Sequence, residues 1–214
     1  MKVEFRDVTG TGKGFCLQHI NIGLQEGYLT GLVGKNGAGK TTLFRYLTDP
    51  KVRYTGEILI DGEANVQGSC KVREKIGYVS EDVKFYMTKT ALENAALYGA
   101  LYDAFDMDTM KKHLKAMEVP MRKALDDLSR GEYLKFQLAF AMSHGTELFL
   151  LDEVTAGMDP IFRKDFYRFL HELLRDEHVS ILMSSHIQED VEKHMDYVAR
   201  IENGCITSYE EVCI

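Results

Sequence analysis

Alternating hydrophobic and polar positions open the chain and predict strands. Val3 and Phe5 alternate with charged neighbours, which is typical of a half-buried edge strand, and residues 20–24 alternate in the same way. Residues 56–62 form a further predicted strand, which ends in an Asp61-Gly62 turn. We therefore expect a small antiparallel β subdomain in the N-terminal part of the chain.

Uninterrupted apolar runs predict a second, buried sheet. They lie at residues 28–33, 147–151 and 179–184, and their lengths are those of strands; residues 75–79 form another short predicted strand. A hairpin around Asn203-Gly204 follows them. Helical patterns separate these runs, so we expect an α/β fold with a mostly parallel sheet.

Helical periodicity marks three parts of the chain. A helix is predicted over residues 41–47, and Asp159-Pro160 predicts the start of another, with Asp as its N-cap. The apolar face of that second helix comprises Phe162, Phe166, Phe169, Leu170, Leu173 and Leu174. Between residues 83 and 145 three more helices are predicted, the third over residues 129–143. The first two carry the apolar sets Leu92, Ala95, Ala96, Gly99, Tyr102 and Met110, Leu114, Met117.

The predicted helical block lies, along the chain, between strands of one sheet. It is therefore expected to be an insertion in one domain and not an independent domain. We expect a single domain over residues 1–214. Within it, residues 1–82 and 146–214 form the core with its β subdomain, and residues 83–145 form an inserted helical subdomain.

Composition narrows the function classes. The net charge is −7, from 26 Lys and Arg against 33 Asp and Glu, which argues against a nucleic-acid surface with its basic stripe. The cysteines are scattered and are expected to be reduced thiols in a cytosolic protein: Cys16, Cys70, Cys205 and Cys213. The N-terminus is charged, unlike a signal peptide, and no apolar run is long enough to span a bilayer. We expect another chain to supply any membrane-spanning part.

Residues 34–42, with the sequence GKNGAGKTT, match the phosphate-binding loop G-x-x-x-x-G-K-[ST]. Glycines let successive N–H groups point at one anion, Lys40 brings a cation to the phosphates, and the Thr41 hydroxyl can hold Mg²⁺. The following helix adds its N-terminal dipole. The residues assigned to the nucleotide are Gly34, Asn36, Gly37, Ala38, Gly39, Lys40, Thr41 and Thr42. The loop indicates a nucleoside triphosphate without specifying its use.

Two adjacent carboxylates, Asp152 and Glu153, follow the apolar run at residues 148–151. Parallel sheets place their chemistry at the carboxyl ends of their strands. Asp152 is expected beside Mg²⁺, and Glu153 is expected to orient or deprotonate the attacking water. The alternative is an ordinary polar strand end.

Ser129, Arg130, Gly131 and Glu132 admit two interpretations. Ser-x-x-Glu is a capping box that starts a helix. However, glycine in the first helical turn is a poor helix former, and it suits a site where a phosphate approaches the backbone closely. In the second interpretation the chain holds two phosphate receptors, and one nucleotide needs both only if two chains face each other.

The order phosphate loop, Ser129-x-Gly131, Asp152-Glu153, Asp159 and Ser185-His186 resembles the ATP-binding subunit of an ABC transporter over essentially the whole chain. The resemblance implies a P-loop NTPase core and two subunits packed head to tail. ATP would lie between the phosphate loop of one subunit and Ser129 and Gly131 of the other. It further implies that Asp159 links the two sites and that His186 contacts the γ-phosphate and assists Glu153.

The same resemblance implies cofactors and partners. These are ATP and Mg²⁺, a second subunit that is identical or a paralogue, and a separate transmembrane permease. The implied location is the cytoplasm, on the inner face of the membrane. Export of a peptide, antibiotic or lipid is the favoured role, and an importer subunit, a soluble ABC ATPase and a phosphate-loop kinase are the alternatives.

Four positions depart from the family's pattern. Glu81 replaces a glutamine, and its carboxylate can still accept water and Mg²⁺. Arg130 makes the signature LSRGE and adds a cation, while Val154 replaces a proline. Thr11 stands where an aromatic residue commonly stacks on adenine, so Phe15 is the candidate base platform, with core packing as the alternative.

Aromatic residues and methionine are dense in the first part of the helical block. The set comprises Phe85, Tyr86, Met87, Leu97, Tyr98, Leu101, Tyr102 and Phe105. Core packing of the helices is one explanation. The resemblance implies another, a groove for a cytoplasmic helix of the permease, and apolar side chains suit such a contact.

Overall fold

The computed structural model describes residues 1–12, 14–65 and 69–212, with Cys213 outside that part. The described strands are β1 (Val3–Gly10), β2 (Ile20–Leu24), β3 (Leu29–Val33), β4 (Tyr54–Ile60), β5 (Glu63–Ala64), β6 (Ile76–Ser80), β7 (Leu148–Asp152), β8 (Ser180–Ser185), β9 (Tyr197–Glu202) and β10 (Cys205–Glu211). The described α-helices are α1 (Lys40–Thr48), α2 (Cys70–Glu74), α3 (Ala91–Gly99), α4 (Met107–Ala116), α5 (Arg130–Met142), α6 (Pro160–Glu177) and α7 (Gln188–His194).

The N-terminal sheet is antiparallel, as expected, in the order β2-β1-β4-β5. The prediction that the first strand lies at an edge is wrong, because Phe5 pairs with Ile22 on one side and with Ile58 on the other. Alternation along a strand reports which face is buried, whereas its neighbours are chosen by pairing with distant segments.

The second sheet has the order β10-β9-β3-β8-β7-β6 among the described strands. Its strands β6, β7, β8, β3 and β9 are parallel, and β10 is antiparallel to β9. The predicted α/β class with a mostly parallel sheet is therefore confirmed. The antiparallel strand is the hairpin around Asn203-Gly204, whose turn has a positive φ at both residues.

Both faces of the parallel sheet are buried, which explains the uninterrupted apolar runs. Along β7, Leu148 and Leu150 pack with α1 and the antiparallel sheet, whereas Phe149 and Leu151 pack with α6. Full burial of each such side chain contributes about 1.5–3 kcal/mol. The sheet is therefore held between two apolar layers, and its carboxyl edge is fixed relative to both.

Helix α6 begins as predicted, with the Asp159 carboxylate accepting from the N–H of Ile161 at 2.9 Å. Most of the predicted face is buried, but Phe162 and Phe169 are only half-buried. Tyr167, which was not predicted in the face, is completely buried and stacks on His194 of α7 at 4.2 Å. The apolar pattern underestimates this face because the ring of a tyrosine packs as well as an apolar residue.

Helices α3, α4 and α5 form their own apolar cluster between β6 and β7 in the chain. Helix α5 belongs to two clusters, since Phe136 and Phe140 face the helices while Leu134 and Leu138 face the core. The predicted burial of Ala96 is wrong, because Ala96 is exposed and Asn94 is buried instead. The Asn94 amide bonds backbone groups of residues 86, 89 and 90, so a polar side chain orders the preceding loop.

The aromatic set divides into packed and exposed members. Phe85 makes edge contacts with Phe136 and Phe140, so packing accounts for its position. Exposed side chains of the set include Tyr86, Leu97 and Leu101. In the described chain, no helix combines the length and apolar composition needed to cross a membrane.

Candidate nucleotide site

The carboxyl ends of four neighbouring strands bring the predicted site residues together. The phosphate loop follows β3, Asp152 ends β7 and is followed by Glu153, His186 follows β8, and Glu81 follows β6. Because these strands are parallel, their ends lie at one edge of the sheet. The sheet topology thereby assembles residues that are far apart in sequence.

The phosphate loop has the backbone that an anion cradle needs. Gly37 and Gly39 have φ values of 81° and 114°, which side-chain-bearing residues rarely adopt. Gly39 is the N-cap of α1 and supplies no side-chain cap, so the first N–H groups of the helix remain available to an anion. The turn at Gly204 supports the loop by donating its N–H to the Ala38 carbonyl at 3.0 Å.

Lys40 places its ammonium group inside this loop. Its Nζ donates to the carbonyl oxygen of Gly34 at 2.7 Å and lies 3.0 Å from Glu153 Oε1, while only 4% of the side chain is exposed. A nearly buried cation with these partners is held in place and still faces the acidic strand end. Lys40 therefore links the phosphate loop to the Glu153 carboxylate.

Asp152 is the acceptor at the centre of the site. Its Oδ2 accepts from the Thr41 hydroxyl at 2.7 Å and from the Tyr78 hydroxyl at 3.2 Å, and its Oδ1 accepts from the Ser184 hydroxyl at 2.6 Å. Burial, followed by the charge of Asp152, raises the pKa of Tyr78, so this phenol remains a proton donor. Thr41 and Asp152, each expected beside Mg²⁺, are brought into direct contact.

Glu153 lies between a cation and an imidazole. Its Oε1 is 3.0 Å from Lys40 Nζ, and its Oε2 is 3.4 Å from Nδ1 of His186. The backbone of Glu153 has a φ of 51°, in the left-handed region that few residues other than glycine occupy. Such backbone strain is concentrated at functional sites.

Ser129 and Glu132 form the predicted capping box at the start of α5. Glu132 N–H donates to Ser129 Oγ at 3.2 Å, and Ser129 N–H donates to Glu132 Oε2 at 2.7 Å. Packing within the chain does not explain why residue 131 is glycine, because a Cβ at Gly131 would lie 3.4 Å from Phe162, an ordinary contact. Helix capping thus explains Ser129 and Glu132 but leaves the glycine unexplained within its own chain.

Two of the departures noted in the sequence meet in the structure. The guanidinium of Arg130 forms an ion pair with the Glu81 carboxylate and lies against Gly157, where a Cβ would come within 2.8 Å of Nη1. The expectation that Glu81 contacts Mg²⁺ stays a prediction, since its carboxylate has Arg130 as a partner here.

Phe15 lies beside the phosphate loop. Its ring is near Gly39 and Gly204, since a Cβ at either position would lie 3.2–3.4 Å from ring atoms. With 52% of the residue exposed, Phe15 is not a core residue, and the core-packing alternative is therefore disfavoured. Its role as a base platform stays a prediction.

Three supporting residues were not assigned from the sequence. Ser184 bridges Asp152 and Glu153, and Gln137 of α5 accepts from the N–H of Ser80 at 3.1 Å. Asp190 of α7 is buried, with its carboxylate 3.1 Å from Thr155 Oγ1 and 3.3 Å from Arg163 Nε. A polar residue inside an apolar run is the only sequence signal that marks Ser184 and Gln137, and it does not identify their partners.

The donor set fits a nucleotide with Mg²⁺. Thr41 and Asp152 present hard oxygen donors within 2.7 Å of each other, beside a loop with free backbone N–H groups. Mg²⁺ commonly binds through one or two protein oxygens together with water and phosphate. These two residues would hold the metal ion.

Comparison with known proteins gives consistent results. The family described as "ABC transporter" matches residues 17–156. The bacitracin transport ATP-binding protein BcrA of Bacillus licheniformis is 32% identical over 90% of this chain, which spans 64% of the length of BcrA. The energy-coupling factor transporter ATP-binding protein EcfA2 of Latilactobacillus sakei is 28% identical over 96% of this chain and 77% of its own length.

The fold is also that of solved ATP-binding cassettes. The dimeric, post-hydrolysis structure of the cassette MJ0796 with ADP and Pi superposes with a TM-score of 0.85 at 21% identity, covering 99% of both chains. The antiparallel sheet, the parallel sheet and the helices between β6 and β7 thus form an ABC ATPase fold. On the match of the family over most of the chain, this protein belongs to the ABC transporter family and is one of its ATP-binding subunits.

Proposed function

We propose that this chain hydrolyses ATP at an interface between two subunits and thereby powers a separate transmembrane permease. The observation that carries the proposal is the connected series Lys40, Glu153 and His186 at the mouth of the phosphate loop. The cation, carboxylate and imidazole lie together beside the loop, which supports a role for them with the terminal phosphate and its attacking water.

Each group has a distinct task in this proposal. Lys40 neutralises phosphate charge, and Glu153 orients the water or accepts its proton. His186 Nδ1 lies beside the second oxygen of the Glu153 carboxylate and orients that group. The rest of the imidazole ring is exposed and is available to the phosphate. Mg²⁺, when bound at Thr41 and Asp152, supplies charge stabilisation to the phosphate oxygens.

Dimerisation is supported by Gly131. Packing within its own chain does not demand glycine at this position, since a Cβ there would make only an ordinary contact with Phe162, and the backbone at the start of α5 is left open to an approaching group. A phosphate held by a second subunit would make use of this opening, because it needs close access to the N-terminal backbone of α5. Asp159, at the start of α6, is then placed to link the two sites, as the family resemblance implies.

The direction of transport and the cargo are further parts of the proposal. BcrA is named for bacitracin transport, which favours export of a peptide, antibiotic or lipid. EcfA2 is named for an energy-coupling factor transporter, so an importer subunit is the alternative. Exposed Tyr86, Leu97 and Leu101 offer a surface for a cytoplasmic helix of the permease at the inner face of the membrane.

Glu153→Gln tests the catalytic assignment. We expect ATP turnover to fall by about 100-fold or more, since the amide cannot act as a base. ATP binding should persist, and the protein should elute as a dimer with Mg·ATP in size-exclusion chromatography with light scattering. Glu147→Gln is the matched control, because Glu147 immediately precedes the same strand, at the end opposite Glu153, and pairs with Lys75. Full turnover in Glu153→Gln would refute the assignment.

Purification from membranes tests the permease. The tagged chain, extracted in mild detergent, should co-purify with a multi-spanning protein, and the triple variant Tyr86→Ala, Leu97→Ala, Leu101→Ala should lose it while keeping ATP turnover. A chain that purifies alone and is active in ribosome-bound fractions would favour the soluble ABC ATPase instead.

A further inference from the structure

The backbone of Glu153 requires an external restraint. Its φ of 51° places it in the left-handed region, which a residue with a side chain occupies only when its surroundings enforce it. Its N–H donates to Ser184 Oγ at 2.8 Å. The hydroxyl of Ser184 is thus a restraint on the residue that the proposed function makes the catalytic base.

The same hydroxyl also fixes Asp152. An N–H group can only donate, so Ser184 Oγ accepts from Glu153 and directs its own proton to Asp152 Oδ1, at 2.6 Å. Ser184 is 0% exposed, so water does not compete for either bond. One buried hydroxyl therefore ties together both carboxylate-bearing residues of the strand end.

The pairing of the sheet explains why this position is suited to the task. Asp152 and Ser184 are direct partners across β7 and β8, and the next residues along β8 are Ser185 and His186. The register that brings Ser184 under Glu153 also brings His186 to within 3.4 Å of its carboxylate. A change at Ser184 would therefore be felt at the Glu153 carboxylate.

We propose that Ser184 is a positioning residue for ATP hydrolysis, which sets the direction of the Glu153 side chain and the orientation of Asp152 without contacting the nucleotide. The proposal rests on the function proposed above. In this proposal, the rate of the chemical step depends on a buried hydroxyl that contacts Glu153 and Asp152 but not the nucleotide.

Ser184→Ala provides the kinetic test. We expect kcat to fall about 10- to 100-fold, as for other residues that orient catalytic groups, with KM for ATP nearly unchanged. Ser180→Ala is the matched control, because Ser180 is a buried serine on the same strand that bonds Gly27 N–H at 3.1 Å and the Met1 carbonyl at 3.4 Å. Ser180→Ala should keep kcat, and equal kcat values in the two variants would overturn the proposal.

Two further variants separate the hydrogen bonds from packing. Ser184→Cys keeps a side chain of similar shape but is a weak donor and acceptor, so its kcat should fall as well. Ser184→Thr retains the hydroxyl and should recover turnover relative to Ser184→Ala. Wild-type kcat in a folded Ser184→Cys protein would contradict the proposed role.

Hydrogen exchange measured by mass spectrometry gives a readout independent of turnover. The peptide that contains Glu153 should exchange faster in Ser184→Ala than in the wild type, and Ser180→Ala should leave that peptide unchanged. If the wild-type protein does not hydrolyse ATP, the proposed function fails, but faster exchange in Ser184→Ala still supports the restraint on Glu153. Unchanged exchange at this peptide overturns it.

Discussion

At the residue scale, the site depends on side chains that satisfy several partners at once. Lys40 serves two loop carbonyls and Glu153, and Asp152 accepts from three hydroxyl groups. Groups that are restrained in this way need little reorganisation when charge develops in the reaction. In contrast, Phe15 is exposed and lies at the rim of the loop.

Phe15→Ala tests whether this ring is the base platform. We expect the Kd for ATP to rise by about 5- to 150-fold, corresponding to about 1–3 kcal/mol of stacking between base and ring. Thermal stability should change little because the ring is exposed. Binding is measured with a fluorescent ATP analogue, and Phe15→Tyr should retain it. Tyr28→Ala, with 45% of the residue exposed on the same domain, is the control. Equal affinity in Phe15→Ala and wild type would exclude Phe15.

At the scale of elements, α5 connects the site to the helical block. Its N-terminus carries the capping box, its Gln137 holds the end of β6, and its apolar residues enter two separate clusters. Close packing against β6 depends on Gly77, where a Cβ would lie 2.8 Å from Ala141 Cβ. A movement of α5 would therefore carry Ser129 and Arg130 with it.

The ion pair of Glu81 and Arg130 yields a test of the predicted metal contact. Both side chains are about half exposed or more, so the pair contributes only about 0–1 kcal/mol to stability. We expect Glu81→Gln to leave the Mg²⁺ dependence of turnover unchanged. Any change in kcat that Glu81→Gln causes in the wild-type background should be absent when Arg130 is already replaced by glycine. The four proteins of this double-mutant cycle are compared by ATP turnover. A higher Mg²⁺ requirement in Glu81→Gln, whichever residue occupies position 130, would instead support metal binding.

At the scale of the whole molecule, the helical block and the core meet through buried aromatic and polar groups. His144, just after α5, is buried, stacks on Tyr102 at 4.1 Å and has its Nδ1 3.0 Å from the Glu74 carbonyl. Burial lowers the pKa of His144 below its ordinary value of 6.5, against the smaller effect of the Glu74 carbonyl. Burial likewise lowers the pKa of His113 and of His194.

These histidines predict a pH dependence of stability. The unfolded chain takes up their protons near pH 6.5, whereas the folded chain does so only at lower pH, so stability is complete above that value and falls as the pH decreases below it. Tm should decrease between pH 7 and pH 5.5 by about 2–4 °C for each kcal/mol lost. Differential scanning fluorimetry measures this, and His144→Gln should reduce the slope. A slope that is identical in His144→Gln would contradict the assignment to His144.

The sequence determined most of the strands and helices because the patterns that predict them are local. Apolar runs, the glycine spacing of the loop and the Asp159-Pro160 start each depend on neighbouring residues, and the structure confirmed the corresponding strands and helices. Short helices such as α2 and α7 were missed because few residues define them. Thr41 and Asp152 were each assigned to Mg²⁺ from the sequence, and they lie together because the loop and the strand end share one edge of a parallel sheet, but their direct hydrogen bond was not predicted.

Only the tertiary structure decided which distant segments pair with each other and which side chains contact the site residues. The internal place of β1, the pairing of Glu81 with Arg130 and the bridge of Ser184 between Asp152 and Glu153 all join segments far apart in sequence. No local pattern encodes them, because strand register and helix packing are set by burial of the complete core. The sequence by itself determined the phosphate-loop motif, and the fold determined the buried hydroxyl of Ser184 that bonds Glu153 and Asp152.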